Sequence, residues 1–357
     1  MELFYFGFSY VLLLISIVNY FLIRTPWNSE VVENTISVLL PVRNEEKRIS
    51  DCISGLKAQV NVPQLHVVII NDQSTDATER IAIQETAEDG RFKIFNSEGP
   101  RENWLGKVSA LQYGLENSDS EYVITLDADV ILSPYAIASA INLLKDSKLD
   151  FTSPYPRQAA VTMSEKLVQP LLHWSWMTTV ILRLAEKFPH RSTAVANGQF
   201  FAVRREALEV INGFESVQTK ILDDVEIARS LISAKFRGVV SEGSSLATTR
   251  MYENFSEIKQ GYGKSLHKAF GGIFGTVAAI SFIFLTGVLP VILIALGSPL
   301  GWLVYACIVF TRLLSDARGQ SDSMYSLLHP ISSALLIYLI IYSWRNRGNI
   351  QWKGRTV

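Results

Sequence analysis

Only two cysteines occur in 357 residues, Cys52 and Cys307. They are far apart in unlike surroundings, so neither a disulfide framework nor a cysteine metal centre is written here, and the catalytic part reads as a reduced, cytosolic one. There is little charge of either sign in excess. With 33 basic and 34 acidic residues the net charge is −1, against the basic surplus of a general nucleic-acid binder. Glycine-rich phosphate loops are missing as well: no G-x-x-x-x-G-K-[ST] is present, and no G-x-G-x-x-G opens a helix after a strand. Internal repeats and low-complexity tracts are absent. His173 has no second histidine at metal spacing and reads as packing or acceptor contact.

Apolar residues are abundant but unevenly placed. Mean hydropathy is +0.19, high for a soluble enzyme. Residues 3–23 form a 21-residue run without a charge, long enough to cross a bilayer at about 1.5 Å per residue. Arg24 follows it directly and no small-x-small cleavage site does, so the run reads as an uncleaved anchor. Further apolar segments cover 274–296, 299–314 and 327–344. If all three C-terminal segments span, the basic tail (Arg345, Arg347, Lys353, Arg355) falls opposite the globular part, against the positive-inside tendency. The shortest, 299–314, is therefore the best re-entrant segment, and the count stands at three or four spans. The expected layout is an anchor over 1–24, a globular domain over 35–250, an amphipathic interfacial segment over 251–273, transmembrane or re-entrant helices over 274–344 and a basic tail over 345–357.

Between the membrane segments the chain alternates strand and helix. "ISVLLPVRNEE" (36–46) is a buried strand emptying into a loop, Ile49, Ile53 and Leu56 recur at helical spacing, and "LHVVIINDQSTDATE" (65–79) repeats the plan. "FKIF" (92–95), a helical 107–118 and "YVITLDADVIL" (122–132) continue it, so a largely parallel sheet with crossover helices is expected. Ligands of such sheets sit outside the carboxyl ends of the strands. There the chain supplies Arg43, Asn44 and Glu45, then Asn71 and Asp72, then Asp127 and Asp129. Each cluster alone is ordinary turn chemistry. Together on one edge, with no glycine loop for an anion, the two close carboxylates read as a seat for Mg²⁺ or Mn²⁺, which prefer oxygen donors and substrate phosphates.

The second half carries other chemistry. In "ILDDVEIARSLISAKF" (221–236) Asp223 and Asp224 open a helix with an apolar stripe. One acid suffices to favour the helix dipole, which leaves the other free to act as a general base. The stretch 250–270 mixes Lys259, Lys264 and Lys268 with Phe255, Tyr262 and Leu266, a surface-lying pattern in which Lys264 or Arg250 could neutralise a leaving diphosphate.

With these pieces in order, residues 35 to 270 resemble the family 2 glycosyltransferases of GT-A fold. The motifs are "SVLLPVRNEE", "VVIINDQSTDAT", "NWLGKVSALQYGL", "TLDADV", "NGQFFAVRREALEVINGF" and "LDDVEIA". "NWLGK", "RMYENFSEIKQGYGKS" and "QWKGR" are most similar to membrane-bound bacterial enzymes that glycosylate carotenoid acids, with hopanoid-associated enzymes as near relatives. The resemblance implies an α/β GT-A domain, a mixed and mostly parallel sheet, with transmembrane helices. It also implies inverting, metal-dependent transfer from a UDP-sugar to a carotenoid, terpenoid or other membrane-lipid acceptor by a multi-pass protein whose catalytic domain faces the cytosol at the cell membrane. A polysaccharide or a ceramide- or diacylglycerol-type glycolipid acceptor is the alternative; a sugar-nucleotide nucleotidyltransferase and a non-enzymatic membrane protein fit less well. By matching position, the loop of Pro41, Arg43, Asn44 and Glu45 would hold the nucleotide, with Asp72 on the uracil. Asp127 and Asp129 would contact ribose and metal, Lys107 would lie near the nucleotide sugar, and Asp224 would be the base. The usual acidic pair of the family is Glu-Asp, here Asp223-Asp224. The Q-x-x-R-W of processive members is replaced by "QGYGK", which moves the phosphate role to Lys264.

Overall fold

The computed structural model describes residues 2–347, 351–352 and 355–356. Of the basic tail, Arg345 and Arg347 are described, whereas Lys353 lies outside the described residues. The chain divides into two compact units: Arg24–Arg157 with Leu184–Thr249, and Met1–Ile23 with Gln158–Arg183 and Arg250–Val357.

The first unit is built on an eight-stranded sheet. Its strands are β1 Ile36–Val42, β2 Leu65–Asn71, β3 Phe92–Asn96, β4 Tyr122–Leu126, β5 Val130–Leu132, β6 Phe151–Gln158, β7 Phe200–Arg204 and β8 Gly238–Thr249, in the order β3-β2-β1-β4-β7-β6-β8-β5. The β3, β2, β1 and β4 strands run parallel, while β7 pairs antiparallel with β4 and with β6, and β5 with β8. Both faces of the sheet are covered, which is why its strands read as continuous apolar runs rather than alternating ones. Val38, Leu40, Val67, Ile69, Ile124 and Leu126 belong to one core with Ile53, Leu56, Ile137 and Ile141. Their neighbours Leu39, Val68, Ile70 and Val123 belong to the other, with Val108, Leu111, Ala228 and Leu231. Successive side chains leave a strand on opposite faces, so one apolar run feeds both layers.

β4 ends at Leu126, so Asp127 and Asp129 follow a strand end as expected; the chain then forms a further short strand, β5 from Val130, at the far edge of the sheet on β8. Asp127, Ala128 and Asp129 are the turn between them, closed by the Val130 N–H donating to the Asp127 carbonyl at 3.1 Å.

The second unit is helical. Among the described residues, four helices are long and apolar enough to cross a membrane: Leu3–Leu22, Ile273–Ala295, Pro299–Arg318 and Ser323–Arg345. The third, which contains the best re-entrant candidate 299–314, is a 20-residue helix. Its last turns are polar and still buried, and part of their groups pair inside the unit: Arg312 Nε lies 3.3 Å from Asp316, whose Oδ2 accepts from Ser326 Oγ at 2.7 Å, while Arg312 Nη1 and Nη2 are buried without a hydrogen-bond partner among the described residues. Residues Gln158–Arg183, read as part of the globular domain, belong with these helices. Asn19 of the first helix donates to the carbonyls of Met177 and Val180 at 2.9 and 2.6 Å and accepts from the Leu182 N–H. The segment expected at the lipid surface is the helix Phe255–Ala269, whose buried Ile258, Gly261, Gly263 and Leu266 pack toward His329–Arg345; Ser343 Oγ donates to the Gly263 carbonyl at 2.6 Å.

Candidate active site

The parallel strands β1, β2 and β4 end together, and their following loops are tied to one another. Arg43 Nη1 donates to the Asp72 carbonyl at 2.6 Å. The Asn44 N–H donates to Ser74 Oγ at 3.1 Å, and the Glu45 N–H to Thr78 Oγ1 at 2.7 Å. Asn44 and Gln73 turn the backbone with φ of 54° and 56°, the left-handed region that asparagine tolerates and that tight loops require. Asp72 is buried, and its N–H donates to the Val42 carbonyl. Pro41 is the penultimate residue of β1, paired with Ile70. Thus Pro41, Arg43, Asn44, Glu45 and Asp72 are gathered at one edge of the sheet.

Asp127 and Asp129 lie at the same edge in unlike states. Asp127 Oδ1 is 2.6 Å from Lys107 Nζ, brought there by the helix Gly106–Glu116. Asp129 Oδ1 is buried and has no hydrogen-bond partner among the described residues. Burial, then the charges of Asp127 and Glu45, push the Asp129 carboxyl up to about 6. A buried, unmatched carboxylate oxygen is costly unless a proton or a cation meets it. No three His, Cys, Asp or Glu side chains are grouped to hold a metal by themselves among the described residues. That donor set fits Mg²⁺ or Mn²⁺, which take one or two carboxylates and complete their shell from water and a substrate's phosphates.

Lys107 also faces the second acidic pair, with its Nζ 4.0 Å from Asp223 Oδ2. Asp223 and Asp224 open the helix Asp223–Ser233, as expected from the apolar stripe behind them. Both oxygens of Asp224 are held: Oδ2 accepts from the Gly198 N–H and Oδ1 from the Val225 N–H, each at 2.8 Å. Burial and then the Asp223 charge outweigh these bonds and push the Asp224 carboxyl up to about 6. Burial works against the Lys107 ammonium, but the carboxylates of Asp127 and Asp223 hold its pKa above the ordinary lysine value. Such a carboxylate, poised near neutrality with oriented lone pairs, suits a general base.

Gly198 explains how these groups fit. A Cβ there would stand 3.1 Å from Asp224 Cβ and 3.4 Å from Lys107 Nζ, so a side chain would press on both. In the sequence Gly198 lies within the motif "NGQFFAVRREALEVINGF", and nothing local gives it a role. Asn197 fixes it, exchanging hydrogen bonds with Ser153 Oγ at 2.8 and 3.0 Å. Residues 37–211 match the family model of glycosyl transferase family 2.

The chain carries a family 2 glycosyltransferase domain.

It is 24% identical over 347 residues to a 4,4'-diaponeurosporenoate glycosyltransferase of Staphylococcus aureus strain bovine RF122 / ET3-1, covering 90% of this chain and 88% of the relative. The same-named protein of strain USA300 is 24% identical over 338 residues, with 90% and 87% covered. Among solved structures, a mannosyltransferase from Pyrobaculum calidifontis in complex with GDP-Man and Mn²⁺ superposes with a TM-score of 0.56 at 16% identity, covering 97% of this chain and 94% of that one. The fold is of the GT-A type, and the chain is a glycosyltransferase.

Two residues assigned to the glycosyltransferase site belong to the helical unit. Arg250 makes a two-pronged pair with Glu165, Nε to Oε2 at 3.1 Å and Nη2 to Oε1 at 3.2 Å. Burial disfavours the Glu165 carboxylate, but Arg250 and the capping bonds from Thr162 and Val161 hold it down at about 2. Lys264 lies on the helix Phe255–Ala269 and is half-buried.

Proposed function

We propose that this glycosyltransferase moves a sugar from a UDP-sugar to a lipid-like acceptor, carotenoid, terpenoid or other membrane lipid, at the cytoplasmic face of the cell membrane, with inversion. The observation that carries the reading is the meeting of two acidic pairs on one lysine: Asp127 at 2.6 Å and Asp223 at 4.0 Å from Lys107 Nζ. One pair suits a donor diphosphate with its cation, the other an acceptor. Support for a nucleotide-sugar donor and a divalent metal comes from the Pyrobaculum mannosyltransferase, described in complex with GDP-Man and Mn²⁺. The acceptor class is supported by the carotenoid-acid name of the relatives and by four helices able to cross a membrane.

Asp129, with Asp127, would hold the cation, which when bound offsets charge on the departing diphosphate. The loop of Pro41, Arg43, Asn44 and Glu45 would enclose the nucleotide, with Asp72 on the base. Lys264 would meet the diphosphate; Arg250, already spent on Glu165, fits that role less well. In a single displacement the acceptor oxygen forms a bond to the anomeric carbon as the bond to the diphosphate oxygen breaks, the electron pair leaving with the diphosphate. Asp224 takes the proton of a hydroxyl acceptor. A carboxylic acid acceptor is already ionised near neutral pH and needs no base. Incubating the purified protein with a panel of UDP-sugars and membrane lipid extracts, with products read by mass spectrometry, tests the reading. A glycosylated lipid formed only with divalent metal is expected; sugar transfer to no lipid in the panel would sink it.

A further inference from the structure

The two acidic pairs are joined by a closed circuit of contacts. Lys107 Nζ bridges Asp127 Oδ1 and Asp223 Oδ2 on the side-chain side. On the backbone side, the Asp127 N–H donates to the Gln199 carbonyl at 3.1 Å, while the neighbouring Gly198 N–H donates to Asp224 Oδ2 at 2.8 Å. Asp127, Lys107, the Asp223-Asp224 pair and Gly198-Gln199 thus return to their start, and no side chain at 198 separates the ammonium from Asp224. Rigid backbone tethers on one side leave Lys107, on its four-carbon stem, as the movable member.

We propose that Lys107 is a positioning residue through which donor loading at Asp127 favours the ionised form of the acceptor base Asp224. This rests on the reading of the site given above. When Asp127 turns its carboxylate toward a donor's cation, Lys107 loses its 2.6 Å partner, and its next carboxylate is Asp223, beside Asp224. An ammonium moving toward that pair favours ionised Asp224 over protonated Asp224. The charged groups that bear on Asp224 are Asp223 on its own helix and Lys107 across from it; Gly198 and Val225 add their N–H bonds. Near pH 6, burial and Asp223 leave Asp224 of the unloaded enzyme about half protonated, and loading drives that proton off to solvent.

The readout is proton release on binding, not turnover. The full-length protein in detergent is titrated with Mn²⁺ and UDP, and in parallel with Mn²⁺ and GDP, at pH 6 in two buffers of different ionisation enthalpy. With a pKa near 6, Asp224 contributes about half a proton when it becomes fully ionised. Asp224→Asn should therefore release about half a proton less than the unaltered protein while binding nucleotide. In a Lys107→Met background, or a Gly198→Ala background should Lys107→Met lose nucleotide, adding Asp224→Asn should change the release by nothing; Lys107→Arg should restore the difference. Equal release by Asp224→Asn and the unaltered protein would overturn the coupling and leave the donor site standing. Binding of neither nucleotide by the unaltered protein would overturn both.

Discussion

At the scale of the residue, the chemistry turns on how differently three aspartates are treated. Asp127 is paired with Lys107, Asp129 Oδ1 is buried without a partner, and Asp224 is pinned by two backbone N–H groups. Asp129→Asn should weaken metal-dependent nucleotide binding at least tenfold, read by calorimetry with and without Mn²⁺, while binding without metal stays unchanged. Because the folded pKa of Asp129 is raised to about 6, a proton competes with the cation there. Metal-dependent affinity should be full well above pH 6 and fall as pH drops through that value; an affinity flat from pH 7.5 to 5 would remove Asp129 from the metal site. Asp224→Asn should keep nucleotide binding and lose transfer to a hydroxyl acceptor by about 10²–10⁴ fold. With a carboxylate acceptor the loss should be far smaller, since no proton is removed, and comparing the two rates also reports the acceptor class. Full transfer to a hydroxyl by Asp224→Asn would shift the base to Asp223. These acids stood out in the sequence because one pair ends an apolar run and the other opens a helix with an apolar stripe. Gly198 did not, since the reason for its missing side chain lies 26 residues away in Asp224.

Elements decide the next level, and the helix Pro299–Arg318 shows how. Its hydrophobic run stops at Leu314, yet the helix continues because Ser315, Asp316 and Arg312 bury their polar groups against each other and against Ser326 and His173. Arg312 is 0% and Asp316 1% exposed. Removing one member of such a pair strands the other's charge, which costs about 3–5 kcal/mol, whereas removing both costs far less. Arg312→Gln should therefore lower the thermal unfolding midpoint in detergent markedly, and Arg312→Gln with Asp316→Asn should recover most of the loss. An unchanged midpoint in the single variant would show that the pair carries no stability. The strand-turn-strand at Leu126 to Val130 is the matching case in the sheet. Val130 and Leu132 are as apolar as Ile124 and Leu126, so composition could not tell that they pair with β8 at the far edge while β4 pairs with β1.

For the whole molecule, four crossings would place the amino terminus and Asn346 on one face and the chain leaving Leu22 on the other. Labelling intact cells with an impermeant maleimide, in a background with Cys52 and Cys307 replaced, tests this: Asn346→Cys should react from outside and Ser29→Cys should not. Both shielded, or both reactive, would mean that one apolar helix does not cross. The local order of the chain is what the sequence determined by itself. Parallel strands buried on both faces, their polar exits, the acidic pairs and the apolar runs are written in contiguous residues, where burial and helix or strand period leave a direct mark. What only the tertiary structure decided is which distant groups meet. Lys107 joins Asp127 to Asp223, Gly198 makes room for Asp224, and Gln158–Arg183 leaves the sheet's unit for the helices. Such meetings depend on crossover connections and on close packing between side chains far apart in the chain, and no spacing along a single segment records them.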